Sequence, residues 1–129
     1  MTSVDPRADP SSDLHLRASY DGERARIVAQ GNLDVYTAPL LRAQLADAID
    51  AGARRITLIV QGVHLIDSSG LSGLVFGYKL ATGCGGDFTL CGDEVLVARL
   101  LARTGLDRVI PLHREFDRGG GGEFRATGS

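Results

Sequence analysis

The chain has 129 residues, of which 43% are hydrophobic, and its formal net charge is −2. This length is enough for one hydrophobic core and short for two ordinary domains. The acidic balance gives no basic surface for nucleic acid, and no apolar run reaches the about 20 residues of a membrane span, so we expect neither nucleic-acid binding nor membrane insertion.

The two ends of the chain are poor in core-forming side chains. Residues 1–12 are mostly polar, and residues 117–129 contain four consecutive glycines at 119–122. Such compositions are typical of disordered segments. We therefore predict one domain at residues 13–116 between two disordered ends. The polar, acidic start has no signal-peptide pattern, which favours a cytoplasmic location.

The first part of the domain is predicted to be a β-hairpin. Residues 14–20 alternate apolar and polar side chains, and residues 25–30 form a second strand-like run. The Asp21-Gly22 dipeptide between them is a strong hairpin signal. These two strands should therefore be antiparallel.

A helix and a buried strand are predicted next. Thr37 is expected to cap the helix, with Pro39 in its first turn and Gly52 just past its end. Apolar residues recur at helical spacing along it: Leu41, Leu45, Ala48 and Ile49. Residues 56–60 are continuously apolar, which is typical of a parallel strand covered on both faces.

The remainder continues the alternation of helices and strands. A second helix should follow Ser69 and end near Gly83, with Leu71, Leu74, Val75 and Tyr78 on its buried face. A strand at 88–91, a third helix capped by Asp93 and ending at Gly105, and an edge strand at 109–112 complete the pattern. The order ββαβαβαβ predicts a single α/β domain whose mixed sheet, with its first strand antiparallel, is covered by helices.

The most informative motif is Asp67-Ser68-Ser69-Gly70, between the third strand and the second helix. It places a serine hydroxyl at a helix N-terminus, where unpaired N–H groups favour an anion. A phosphate there would add about −1.5 to −2 charges to the surface that a partner meets. The alternative is a capped turn without function, because Asp, Ser and Gly are ordinary N-cap residues. Either serine could be the cap, and Gly70 could serve turn geometry or close partner approach.

Three sequence elements occur in order along the domain: G-N-L-D-V-Y-T-A-P at residues 31–39, D-S-S-G-L at 67–71 and L-L-A-R-T-G-L at 100–106. They resemble, in the same order, those of the STAS family, which includes the bacterial anti-sigma factor antagonists. The similarity extends from Leu14 to about residue 116. It implies the same α/β fold.

The resemblance also implies a function and its residues. Ser69 aligns with the phosphorylated serine of the family, with Ser68 as the less favoured alternative, and Asp34 aligns with an acidic residue that contacts the kinase. The implied partner-binding residues are Asp34, Asp67, Ser68, Ser69 and Gly70.

The implied mechanism is partner switching rather than catalysis. The unphosphorylated domain would bind an anti-sigma factor that has serine kinase activity, which frees a sigma factor. Phosphorylation would release the complex, and a serine phosphatase would reset it. The sequence leaves the sigma factor, the kinase, the signal and homodimer formation open.

Other interpretations remain open at this stage. Asp34 could only stabilise its loop through an Asx-type bond, and Tyr36 is expected to be a packing or solvated-face residue. Ser69 could be the nucleophile of a hydrolase, although the chain has no G-x-S-x-G and only His64 lies just upstream. A phosphorylation-independent STAS subunit of a transport or scaffold complex is the third alternative.

The cysteines and histidines do not suggest a metal or cofactor site. Cys84 and Cys91 lack C-x-x-C spacing, and His15, His64 and His113 are scattered along the chain. We expect no cofactor, no metal and two free thiols, with Cys91 in a buried strand and Cys84 at a helix end.

Overall fold

The computed structural model describes residues 14–92 and 95–113. The predicted disordered ends at 1–12 and 117–129, and the predicted cap Asp93, lie outside the described residues. The helices and strands are β1 (Leu14–Asp21), β2 (Arg24–Leu33), α1 (Ala38–Asp50), β3 (Arg55–Ile66), α2 (Ser68–Gly83), β4 (Asp87–Cys91), α3 (Val95–Thr104), a 3₁₀ helix (Leu106–Arg108) and β5 (Leu112–His113).

The five strands form one mixed sheet in the order β1-β2-β3-β4-β5. β1 is antiparallel to β2, and the other neighbouring pairs are parallel. This confirms the predicted α/β fold with an antiparallel first strand. The hairpin turn consists of Gly22 and Glu23, since Asp21 is still paired with Arg24, and Gly22 has a φ of +63°.

The core lies between one face of the sheet and the helices. Alternation along β1 and β2 directs Leu16, Ala18, Ile27 and Ala29 to the same face. The largest buried side chains include Ile27, Leu33, Leu41, Leu45, Ile56, Leu58, Leu74, Phe88, Leu90 and Leu101. Ile59 points to the opposite face and is only 4% exposed, so β3 is buried on both faces there, as its apolar run predicts.

The last strand differs from the prediction. Gly105 has a φ of +80° and directs the chain into the 3₁₀ helix, and the Leu106 carbonyl accepts hydrogen bonds from the N–H groups of Val109 and Ile110 (2.9 and 2.8 Å). Those two residues therefore cannot pair with β4. The strand begins only at Leu112.

β2 and β3 are both longer than predicted. They continue past residues 30 and 60 to Leu33 and Ile66, which are directly paired. This extension matters for function because it brings the two loops that follow these strands to the same edge of the sheet. None of the helices in the described part of the chain has the length and hydrophobicity needed to cross a membrane.

Candidate functional site

The candidate site is formed by the two loops that follow β2 and β3. Since Leu33 is paired with Ile66, Asp34 and Asp67 are the next residues on adjacent strands. The Asp67 N–H also donates a hydrogen bond of 3.1 Å to the Leu33 carbonyl. The expectation that both loops contribute to one surface is confirmed.

Asp67 is the N-cap of α2. Its Oδ1 accepts hydrogen bonds from the N–H groups of Ser69 (2.8 Å) and Gly70 (3.0 Å), and its backbone is extended with φ −116° and ψ −170°. The helix begins at Ser68, so the idea that Ser68 or Ser69 is the cap is wrong. The physical reason is that an ionised carboxylate makes stronger, charge-assisted bonds to the first-turn N–H groups than a hydroxyl does.

Both serines therefore lie in the first turn of α2. Ser68 is exposed and Ser69 is half-buried, and neither hydroxyl forms a hydrogen bond with another described residue. Both hydroxyl groups are thus chemically available at the surface. No described histidine is hydrogen-bonded to Ser69, as the base of a hydrolase would be.

Gly70 allows α2 to approach the end of β2. A Cβ at this position would clash with the Leu33 carbonyl oxygen and would lie 2.7 Å from the Leu33 Cβ. Gly70 is helical and does not have a positive φ, so turn geometry is not the reason for glycine here. The reason is close packing within the chain.

Two further glycines continue this close contact, which sequence reasoning missed. A Cβ on Gly73 would lie 3.2 Å from Leu41 Cδ2, and one on Gly77 would lie 2.9 Å from Leu45 Cδ1. The sequence feature that could have revealed this contact is the spacing i, i+3 and i+7 of Gly70, Gly73 and Gly77, which places all three on one helix face. This face positions the N-terminus of α2 against α1 and the sheet.

Asp34 organises the other loop. Its Oδ1 accepts hydrogen bonds from the N–H groups of Tyr36 (3.0 Å) and Thr37 (3.1 Å), and its carbonyl accepts one from the Ala38 N–H (2.8 Å). The Asx-type interpretation of Asp34 is confirmed. Its contact with a partner stays a prediction.

Thr37 is the N-cap residue of α1, as predicted, but its side chain forms no capping hydrogen bond with the first turn. Its buried hydroxyl donates to the Asn32 carbonyl (2.8 Å) and accepts from the Asp34 N–H (2.9 Å). The Thr37 hydroxyl therefore forms its hydrogen bonds within the loop. The Asp34 carboxylate instead accepts hydrogen bonds from the N–H groups of Tyr36 and Thr37, just before α1. Together the two side chains fix the path of residues 32–37.

The outer surface of this loop is apolar and exposed. Tyr36 is 80% exposed and Val35 is 57% exposed, so Tyr36 is not a packing residue. Segments 31–41 and 62–78 contain Asp34 and Asp67 but no lysine or arginine. The site thus combines two carboxylates, two serine hydroxyls and exposed apolar side chains.

The cysteines lie away from this site. Both are free thiols; Cys84 is exposed and Cys91 is buried, as predicted. Burial raises the pKa of the Cys91 thiol, and the nearby Arg26 guanidinium partly opposes that increase. Within residues 14–92 and 95–113, no group of three or more metal-ligating side chains is arranged to hold an ion.

Comparison with known proteins identifies the class. Residues 23–118 match the STAS domain, and the chain belongs to the STAS domain family. It is 29% identical over 103 residues to the anti-sigma F factor antagonist of Paenibacillus polymyxa, covering 78% of this chain and 88% of that protein. It is 32% identical over 89 residues to the anti-sigma-B factor antagonist of Bacillus subtilis (strain 168), covering 69% of this chain and 81% of that protein.

A solved structure supports the fold independently. The anti-sigma factor antagonist SpoIIAA in its unphosphorylated form superposes with a TM-score of 0.69 at 19% identity, covering 88% of this chain and 96% of that chain. At this level of identity the similarity concerns the fold. The family assignment and the fold predicted from the three motifs are both confirmed.

Proposed function

We propose that this protein is an anti-sigma factor antagonist that is switched off by phosphorylation of Ser69. In its unphosphorylated form it binds an anti-sigma factor with serine kinase activity and thereby frees a sigma factor. The observation that carries the proposal is the arrangement at the start of α2, where the Ser69 hydroxyl has no hydrogen bond to any other described residue and lies beside the Asp67 cap and the Asp34 loop. The names of the two curated relatives support the same class of function.

The electrostatics of the first turn explain why a phosphate would affect binding more than folding. The helix dipole favours a phosphate there by about 0.3–1 kcal/mol. The Ser69 and Gly70 N–H groups are already bonded to Asp67, so the phosphate also meets a carboxylate. A phosphate of about −1.5 to −2 charges about 6 Å from the carboxylate is repelled by about 1.0–1.4 kcal/mol in water, so the net effect on folding is only about 1 kcal/mol or less.

A protein interface changes this balance. When the surface is covered, the phosphate and Asp67 lose water and repel each other in a medium of lower dielectric constant. Leaving a buried charge without a partner costs about 3–5 kcal/mol, which corresponds to at least a hundredfold loss of affinity. Phosphorylation therefore releases the partner while the domain stays folded.

The cycle requires other proteins. The kinase transfers the γ-phosphoryl group of ATP to the Ser69 oxygen, and a serine phosphatase hydrolyses the phosphoester and restores the hydroxyl. The proposed location is the cytoplasm, where sigma factors act. Homodimer formation is a separate question for sedimentation measurements.

Phosphosite mapping tests the assignment. The chain is incubated with ATP and each purified anti-sigma factor kinase of the source organism, and the phosphopeptide is fragmented. Ser69→Ala should abolish phosphorylation and bind constitutively, whereas the matched control Ser68→Ala should still be phosphorylated. Ser69→Asp should melt near the parent temperature and bind poorly. Phosphate on Ser68, or a Ser69→Asp protein that binds as tightly as the parent, would contradict the assignment.

The same samples separate the alternatives. A phosphorylation-independent STAS subunit would bind its partner but accept no phosphate from any of the kinases. A hydrolase would give a burst of product with a generic ester, and Ser69→Ala would abolish that burst. The proposed antagonist gives no burst.

A further inference from the structure

Three exposed apolar side chains lie beside the site. Val35 and Tyr36 directly follow Asp34, and Leu65 is paired with Asn32 across β2 and β3. Their exposed fractions are 57%, 80% and 44%, respectively. We call Val35, Tyr36 and Leu65 the apolar patch. Exposed apolar side chains grouped at one end of a sheet, rather than scattered singly, are typical of interaction surfaces.

The patch is held in place before any partner arrives. The Tyr36 N–H donates to Asp34 Oδ1 (3.0 Å), and the next residue, Thr37, is fully buried and hydrogen-bonded to Asn32 and Asp34. A loop fixed in this way loses little conformational freedom on binding. Tyrosine is also among the residues that contribute most to affinity at interfaces.

The charge around the patch indicates the chemistry of its partner. Asp34 and Asp67 flank it, and neither segment 31–41 nor segment 62–78 contains a lysine or arginine. An apolar surface bordered by these two carboxylates is complementary to an apolar pocket with a basic rim.

We propose that Tyr36 inserts into an apolar pocket, rimmed by lysine or arginine side chains, on the surface of the anti-sigma factor. This inference rests on the proposed function and adds to it the residue on which affinity depends most. Phosphorylation at Ser69 then acts next to the main contact rather than on it. The two sites are therefore separable by mutation.

The contribution of Tyr36 to binding affinity is measured by isothermal titration calorimetry. Each purified anti-sigma factor with serine kinase activity from the source organism is titrated separately. Tyr36→Ala should raise the Kd by at least about 30-fold, as expected for a residue that dominates an interface. Tyr36→Phe keeps the ring and should stay within about threefold of the parent. Tyr20→Ala is the matched control, because Tyr20 is 47% exposed at the opposite edge of the sheet.

The Tyr36 variants should melt at the parent temperature because that side chain is 80% exposed, and Tyr20→Ala should melt at or slightly below it because Tyr20 is half-exposed on β1. The affinity of the parent chain should also fall as salt is raised, because salt screens the acidic border from a basic rim.

Several outcomes would overturn the inference. If the parent binds a kinase and Tyr36→Ala binds equally well, Tyr36 is not the main contact although the proposed function stands. If Tyr36→Ala only converts a dimer into monomers in sedimentation velocity, the patch joins two copies of this chain instead. If the parent binds none of the kinases, the proposed function itself fails.

Discussion

Asp34 has a structural role that can be separated from its predicted role in binding. Its Oδ1 accepts hydrogen bonds from the N–H groups of Tyr36 and Thr37, which precede α1. Asp34→Ala removes both bonds. Loss of a side-chain oxygen that accepts backbone N–H groups just before a helix should cost about 0.5–2 kcal/mol, the range measured for N-cap side chains. Because about 1 kcal/mol shifts the Tm of a 60–100-residue domain by roughly 4–8 °C, we expect a decrease of about 2–16 °C.

Asp34→Asn distinguishes hydrogen bonding from charge. The asparagine side-chain oxygen can accept the same two hydrogen bonds, and Asn is as good a cap as Asp. Its Tm should therefore lie within about 3 °C of the parent value. The negative charge is lost, however, so binding to the anti-sigma factor should weaken by about tenfold if the carboxylate meets a basic rim.

Thermal unfolding followed by circular dichroism, with calorimetric titration on the same preparations, measures both effects. A parent-like Tm for Asp34→Ala would show that the loop bonds do not stabilise the domain. An equal loss of Tm in both variants would show that charge, not hydrogen-bond geometry, is responsible. Parent-like affinity for Asp34→Asn would make Asp34 structural only.

Three other predictions concern packing and the thiols. Gly70→Ala should lower the free energy of unfolding by about 2 kcal/mol or more in urea titrations, because the added Cβ would clash with the Leu33 backbone. The control Gly83→Ala places its Cβ in open space and should change the free energy of unfolding by less than about 1 kcal/mol. Equal effects of the two substitutions would contradict the packing account. An aromatic disulfide reagent at neutral pH should modify exposed Cys84 rapidly and buried Cys91 only after denaturation, and rapid modification of both would refute the described burial. Burial raises the pKa of Cys91 in the folded state, so the thiol of the unfolded chain ionises first as the pH rises. The stability that Cys91 contributes below about pH 8.5 is therefore lost as the pH rises toward the folded pKa. Cys91→Ala should lose less stability at alkaline pH than the parent, and an equal loss would contradict this assignment.

The sequence predicted the framework of the site more completely than its hydrogen bonds. Apolar periodicity placed Asp34 and Asp67 after parallel strands, and parallel strands that are neighbours bring their carboxyl ends together. The roles of Asp34 and Thr37 were not predictable in this way. Both are ordinary cap residues three positions apart, and only the folded loop decides that the carboxylate bonds forward while the hydroxyl bonds back to Asn32.

The last strand shows a second kind of limit. The apolar run at 109–112 has the composition of an edge strand, but strand formation also requires free N–H groups. Gly105 adopts a positive φ, and the turn that follows uses the N–H groups of Val109 and Ile110 for bonds to Leu106. A local turn thus took precedence over β-propensity, which is weak at a sheet edge.

The geometry around Leu33 suggests how the proposed switch acts. Leu33 is fully buried; its carbonyl accepts the Asp67 N–H, and its backbone and Cβ lie against Gly70. The start of α2 is therefore held against the same core residue that leads into Asp34 and the apolar patch. Because tightly packed interiors resist small displacements, a phosphate on Ser69 has little freedom to move one loop relative to the other. The switch would consequently work by changing the charge presented to the partner on a surface whose shape stays the same.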